Sequence, residues 1–190
     1  VVLLGDRLRT LVNRCGRGYA VWGGRPITLY ASRSDGMYMR ATTAGGELDP
    51  VADAVRLSAE GCLFRAENRT VYTETEILSV REAECRTVRI KNRTAAPQEV
   101  VLSAMVIPAL FRTDEYSGQL KSAFYIETTD CGRFVTAART DGRSDIVVGL
   151  TGSGGEIGFF GNRGAYDNDE PPAFGLTLAP ALGVTGRMQL

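Results

Sequence analysis

Apolar and polar residues alternate with a period of two through most of this chain, and no 3.6-residue period runs beyond two turns. Between Thr87 and Lys91 the apolar Val88 and Ile90 alternate with Thr87, Arg89 and Lys91, the pattern of a strand with one wet face. Residues 98–107 carry apolar side chains on both parities: Val101, Met105 and Ile107 on one, Val100, Leu102, Ala104 and Val106 on the other. A strand apolar on both sides is covered on both sides. The polar stretch 92–97 between them, ending in Pro97, reads as the turn of a hairpin at the middle of a layered structure.

The same reading predicts strands at 8–13, 19–22, 25–30, 37–41, 54–57, 62–67, 70–78, 122–127, 133–139, 146–150, 157–160 and 174–178. One helical turn is expected at 50–54, and loops at 43–50, 109–120 and 161–172. Turn signals recur every 8–12 residues or so, the spacing of sandwiches and barrels. The expectation is an all-β protein, one domain over residues 1–190, with about a dozen strands in two packed antiparallel sheets.

Composition narrows the function classes. The 190 residues are 44% hydrophobic, ordinary for a globular protein, and 22 basic residues balance 22 acidic ones. The arginines form no basic run, so nothing favours nucleic acid or an anionic membrane as a partner. No apolar stretch approaches the ~20 residues needed to span a bilayer. Residues 1–4 are too short for a signal-peptide core, and the chain begins without Met close to strand-like sequence, as a fragment of something longer would. Cys15, Cys62, Cys85 and Cys131 are widely spaced and read as reduced thiols of a cytoplasmic protein. The sequons at Asn68 and Asn92 read as turn residues.

Histidine is absent, which removes the Ser-His-Asp triad, the Cys-His pair and His-containing zinc sites together; no metal is expected. Glu74 and Glu76, two apart on a strand, share a face near the separation that glycosidases use for acid and base. Catalytic pairs usually come from different elements, however, and alternation with Val71, Thr73, Thr75 and Ile77 describes a solvent-exposed face. The irregular loop 111–120 offers Arg112, Asp114, Glu115, Tyr116 and Gln119, groups suited to sugar hydroxyls or phosphate. Phe159 and Phe160 anchor a glycine-flanked Arg163, whose own backbone can approach a partner closely.

Four motifs in order carry a family resemblance. The run Leu11-Val-Asn-Arg-Cys-Gly-Arg-Gly-Tyr19, followed by Trp22 and Thr28, is similar to T-N-x-G-x-G-Y-S-x-W and x-L-T-R-W; Val88-Arg-Ile-Lys-Asn-Arg-Thr94 resembles L-T-L-T-N-R-S. Leu120-Lys-Ser-Ala-Phe-Tyr-Ile-Glu-Thr128 is similar to F-S-K-L-F-V-E-T, and Phe160-Gly-Asn-Arg-Gly164 resembles F-L-G-R-G with one residue inserted. In these the chain resembles the N-terminal domain of glycoside hydrolase family 94, formerly glycosyltransferase family 36, which holds cellobiose and oligoglucan phosphorylases and cyclic β-1,2-glucan synthases.

The resemblance implies an antiparallel β-supersandwich of the galactose mutarotase-like kind. It implies a parent enzyme that is an inverting glycoside phosphorylase, whose catalytic aspartate lies in a following (α/α)6 barrel that this chain lacks. Inorganic phosphate is the parent's co-substrate, with no other cofactor. The implied partners are β-linked glucose oligosaccharides, the helical catalytic domain, and a second copy in a homodimer. The chain alone is expected to be inactive, with no catalytic residue, and to lend loops to the rim of the sugar and phosphate site through Arg112, Tyr116, Gln119 and Arg163. Two rivals remain. One is a free-standing carbohydrate-binding module stacking sugars on Trp22, Tyr116 and Tyr125. The other is a catalytic sandwich using Glu74 and Glu76; its mutarotase form needs the histidine missing here.

Overall fold

The computed structural model describes residues 2–13, 16–29, 36–51, 54–58, 61–110, 125–168, 170–177 and 179–190. Seventeen strands, more than the dozen expected, and one short helix lie among them. They form four antiparallel sheets rather than two. Sheet I orders β1 (Val2–Leu4), β2 (Leu8–Val12), β3 (Gly18–Trp22) and β4 (Arg25–Pro26). Sheet II orders β10 (Ala83–Asn92), β9 (Val71–Val80), β8 (Gly61–Glu67) and β7 (Ala54–Leu57). Sheet III orders β15 (Glu156–Asn162), β17 (Pro180–Gln189), β11 (Glu99–Val106), β5 (Met37–Thr43) and β6 (Gly46–Leu48). Sheet IV orders β14 (Val148–Leu150), β13 (Val135–Arg139), β12 (Ile126–Asp130) and β16 (Gly175–Leu176). The helix α1 (Gly164–Asp167) follows β15 where a loop is expected from sequence.

The expected hairpin across 92–97 does not form. β10 pairs along its whole length with β9, from Ala83 opposite Val80 to Asn92 opposite Val71, while β11 pairs with β5 and β17 in another sheet. The polar stretch is a crossover between sheets. Asn92 builds it: its Oδ1 accepts the Thr94 N–H at 2.8 Å and its Nδ2 donates to the Ala96 carbonyl at 2.8 Å. The chain then enters β11 by exchanging hydrogen bonds between Gln98 and Leu190. The character of each strand is nevertheless as its pattern says. β10 alternates between exposed and half-buried positions. β11 is third of five in its sheet and buries Val100 and Met105 on opposite faces.

Each sheet buries a face against its neighbours, and sheet III buries both. Leu3 and Val12 of sheet I meet Cys62, Phe64 and Ile77 of sheet II. Ala41, Leu48 and Val100 of sheet III meet Ala66 and Val71 of sheet II. Leu8 and Ala20 of sheet I join Ile126, Val135 and Ala137 of sheet IV around Leu182 of sheet III. Thr73 and Thr75 are fully buried among these apolar groups because their hydroxyls donate to the carbonyls of Ala66 and Pro50, at 3.0 Å each.

The glycines of the first motif have a structural reason. A Cβ on Gly18 would overlap the Leu11 carbonyl across the β2–β3 ladder, and Gly16 has φ +66° at the turn itself. The sequon asparagines act as turn residues, since Asn68 Oδ1 accepts the N–H groups of Thr70 and Val71 at 2.9 Å each. Among the described residues no helix is long and apolar enough to cross a membrane.

Candidate functional site

Of the residues singled out in the sequence, Arg112, Tyr116 and Gln119 lie outside the described residues. Arg163 stands at the start of α1 and is tied to Asp167 one turn on, Nε to Oδ2 at 2.6 Å. Glu74 and Glu76 do share a face of β9, and it is the solvent face. Glu74 Oε1 takes Arg65 Nε and the Tyr72 hydroxyl at 3.0 Å each, and Glu76 lies 3.7 Å from Arg89 across the hairpin. Both carboxylates are engaged in exposed ion pairs. Tyr125 is half exposed just before β12 and contributes its carbonyl to Thr140.

Trp22 is placed differently. It ends β3 opposite Leu8, and Gly23-Gly24, both at positive φ, turn the chain so that Arg25 pairs back against it. This hairpin forms one wall of a cavity of about 930 Å³. The opposite walls come from the turn between β9 and β10 with the start of β10, from the adjoining ends of β5 and β11, and from the segment 145–151 leading into β14. The depth is apolar, lined by Ala20, Ile27, Val106, Ile146 and Val148. Thr28 closes it near the base, with its buried hydroxyl accepting the Ala20 N–H at 2.8 Å.

The polar lining is balanced in sign: Arg7, Arg25 and Arg86 against Glu82, Glu84 and Asp145. Arg25 and Asp145 face each other loosely on the rim at 3.9 Å. Glu84 and Arg86 are held far more firmly. Both occupy inward positions of β10, with side chains only 12% and 13% exposed. Arg86 Nε donates to Glu84 Oε1 at 2.5 Å, and its other nitrogens donate to the Gly16 carbonyl at 2.9 Å and toward Met37 Sδ at 3.7 Å. The other carboxylate oxygen, Glu84 Oε2, is buried without a hydrogen-bond partner. A buried acceptor left unmade is costly, by about 1–3 kcal/mol, and more for a charged group. Among the described residues the Arg7 side chain makes no ion pair or hydrogen bond.

On the far face of sheet III, Tyr38, Phe160 and Tyr166 form an aromatic cluster with ring centroids 6.4 Å apart, and the Arg40 guanidinium lies 4.7 Å from the Tyr166 ring. Burial pushes the Tyr166 hydroxyl well above its ordinary pKa. Asp49 at the margin is also raised by burial, against the pull of Arg17 at 3.5 Å. This cluster is packing: Met105, Ile107 and Ala181 fill the space beneath it.

Past the cavity the chain reaches Leu110, buried and at φ +45°. Its carbonyl accepts Arg139 Nη1 at 3.2 Å, and Arg139 also grips Asp141 through two nitrogens. The point from which residues 111–124 depart is thereby fixed. Among the described residues no group of three or more potential ligands is arranged for a metal ion.

Sequence reasoning found Trp22 and missed Glu84 and Arg86. The signal was available: both share the parity of Val88 and Ile90, the covered side of β10. Compared with protein-family profiles and with curated proteins, the chain gives no match.

Proposed function

We propose that this chain is a non-catalytic β-supersandwich domain of a carbohydrate phosphorylase or related glucan-processing enzyme. In the parent protein it supports oligomerisation and helps to form the rim of the sugar and phosphate site, with β-linked glucosides and inorganic phosphate as the parent's substrates. The observation that carries this reading is the position of the first resemblance motif. Its Trp22 and Thr28 both line the cavity of about 930 Å³, so the motif with the most characteristic residues meets a surface suited to a sugar. The paired carboxylates Glu74 and Glu76, by contrast, are neutralised by arginines on an open sheet face, away from that cavity.

The reading predicts no chemistry from the chain by itself. Incubated with cello-, laminari- or sophoro-oligosaccharides and inorganic phosphate, it is expected to form no sugar 1-phosphate and no reducing sugar; turnover by the purified chain would overturn the proposal. A second reading, a free-standing carbohydrate-binding module, is favoured by one feature, the indole of Trp22 presented in a concave site.

A further inference from the structure

We propose that the cavity beside Trp22 is a binding site for an uncharged sugar chain, with Trp22 as the stacking surface and the Glu84–Arg86 pair as the fixed hydroxyl-binding clamp. Its volume of about 930 Å³ is at the upper end of small-molecule sites, which run to about 1,000 Å³. The lining is divided in the way a pyranose is divided. An indole and aliphatic side chains offer an apolar surface for the C–H face of a ring. Guanidinium and carboxylate groups offer planar, two-pronged partners for adjacent hydroxyls.

The charge pattern selects the class of ligand. Three arginines and three acids line one space, so a phosphate or carboxylate drawn to the arginines meets Glu82, Glu84 and Asp145 as well. A polyol suits both signs, donating to the carboxylates and accepting from the guanidinium groups.

Glu84 supplies the sharpest observation. One oxygen is fixed by Arg86, whose remaining nitrogens are held by Gly16 and Met37, so the carboxylate is pre-oriented. The other oxygen is buried and lacks a donor. That oxygen is enclosed by the protein itself, so it is the fixed Glu84–Arg86 pair, and not this one atom, that borders the cavity. Arg7, unpaired and exposed on the rim, is available to a second sugar unit.

The choice of β-linked glucosides as probes rests on the reading above; the assignment of the cavity does not. Trp22 is the single tryptophan of the chain, so its fluorescence reports on this cavity alone. The chain is titrated with cello-, laminari- and sophorotetraose, and separately with glucose 1-phosphate and inorganic phosphate. A saturable change in Trp22 emission is expected with at least one tetrasaccharide, at a Kd of about 1 mM or tighter. The phosphates are expected to bind at least tenfold more weakly. Glu84→Gln is expected to weaken binding at least tenfold and Arg7→Ala severalfold, with Arg187→Ala, on an exposed side chain outside the cavity, unchanged. Thermal melts establish that each variant is folded. If Glu84→Gln fails to fold, Arg7→Ala, which alters an exposed side chain, carries the test.

Unaltered emission with all three tetrasaccharides up to about 10 mM would overturn the proposal. So would a response to the phosphates alone, or affinities unchanged in both folded variants. Sugar binding seen by calorimetry without a Trp22 response would move the site elsewhere and leave the non-catalytic reading standing. Formation of sugar 1-phosphate would end that reading without touching the cavity assignment.

Discussion

Replacing Arg139 with methionine is expected to cost about 3 kcal/mol of stability, the low end for breaking a buried ion pair. Among the described residues, Asp141 then keeps only the Arg143 N–H at 3.2 Å and the Arg143 guanidinium at 3.8 Å. Arg139 is only 1% exposed at its side chain and Asp141 14%, so solvent screens the pair weakly. The guanidinium is also the donor to the Leu110 carbonyl, and a non-glycine residue at φ +45° needs such support. The pair should show itself in pH dependence. The Arg139 hydrogen bond holds the Asp141 carboxyl below its ordinary value of 3.8, so the folded state binds this proton less readily than the unfolded chain. That contribution is fully present above the unfolded pKa and is lost as pH falls through the lower folded one. Urea unfolding at pH 7 and at pH 3 measures it. The gap between wild type and Arg139→Met should narrow at the lower pH; a gap independent of pH would contradict the account.

Phe64→Ala is expected to be at least as severe, at about 3–5 kcal/mol, the range for a buried aromatic ring truncated to a methyl group. Phe64 is fully buried at the seam between sheets I and II, against Leu3, Val12, Val51, Cys62 and Ile77. Strands are stiff and these neighbours belong to different sheets, so the space cannot close fully around the loss. In a thermal melt the variant should unfold roughly 10 °C below wild type. Leu4→Ala, on a side chain 69% exposed in the adjoining strand, should leave the melt essentially unchanged.

Local alternation made most of the longer strands legible, whereas the three-residue β1 and β6, too short to show a period, were not predicted and β6 fell in the expected loop 43–50. Alternation could not assign partners. The β9–β10 hairpin turns at Arg81-Glu82, with Arg81 at φ +54°, and neither residue carries the glycine or asparagine signal of a tight turn. The stretch 92–97 does carry turn chemistry and is spent on a crossover instead. The strand β17, which pairs with both β11 and β15, was not legible at all. Its Pro180, Gly183 and Gly186 argue against a central strand, yet Gly183 is there for packing, since any Cβ would overlap the Phe160 ring. The cavity was half legible for a similar reason. Trp22 announces itself by type, whereas Glu84 and Arg86 resemble the charges of a solvated face until the sheet fixes which parity turns inward.

The most direct test of the central claim, that this chain meets carbohydrate in the cavity beside Trp22, is a crystal structure of the chain with the tightest-binding tetrasaccharide. The account predicts a sugar ring stacked on the Trp22 indole with a hydroxyl within hydrogen-bond distance of the Glu84–Arg86 pair. A sugar seated on the outer face of β9 at Glu74 and Glu76, or beside Arg163, with the cavity empty, would contradict it.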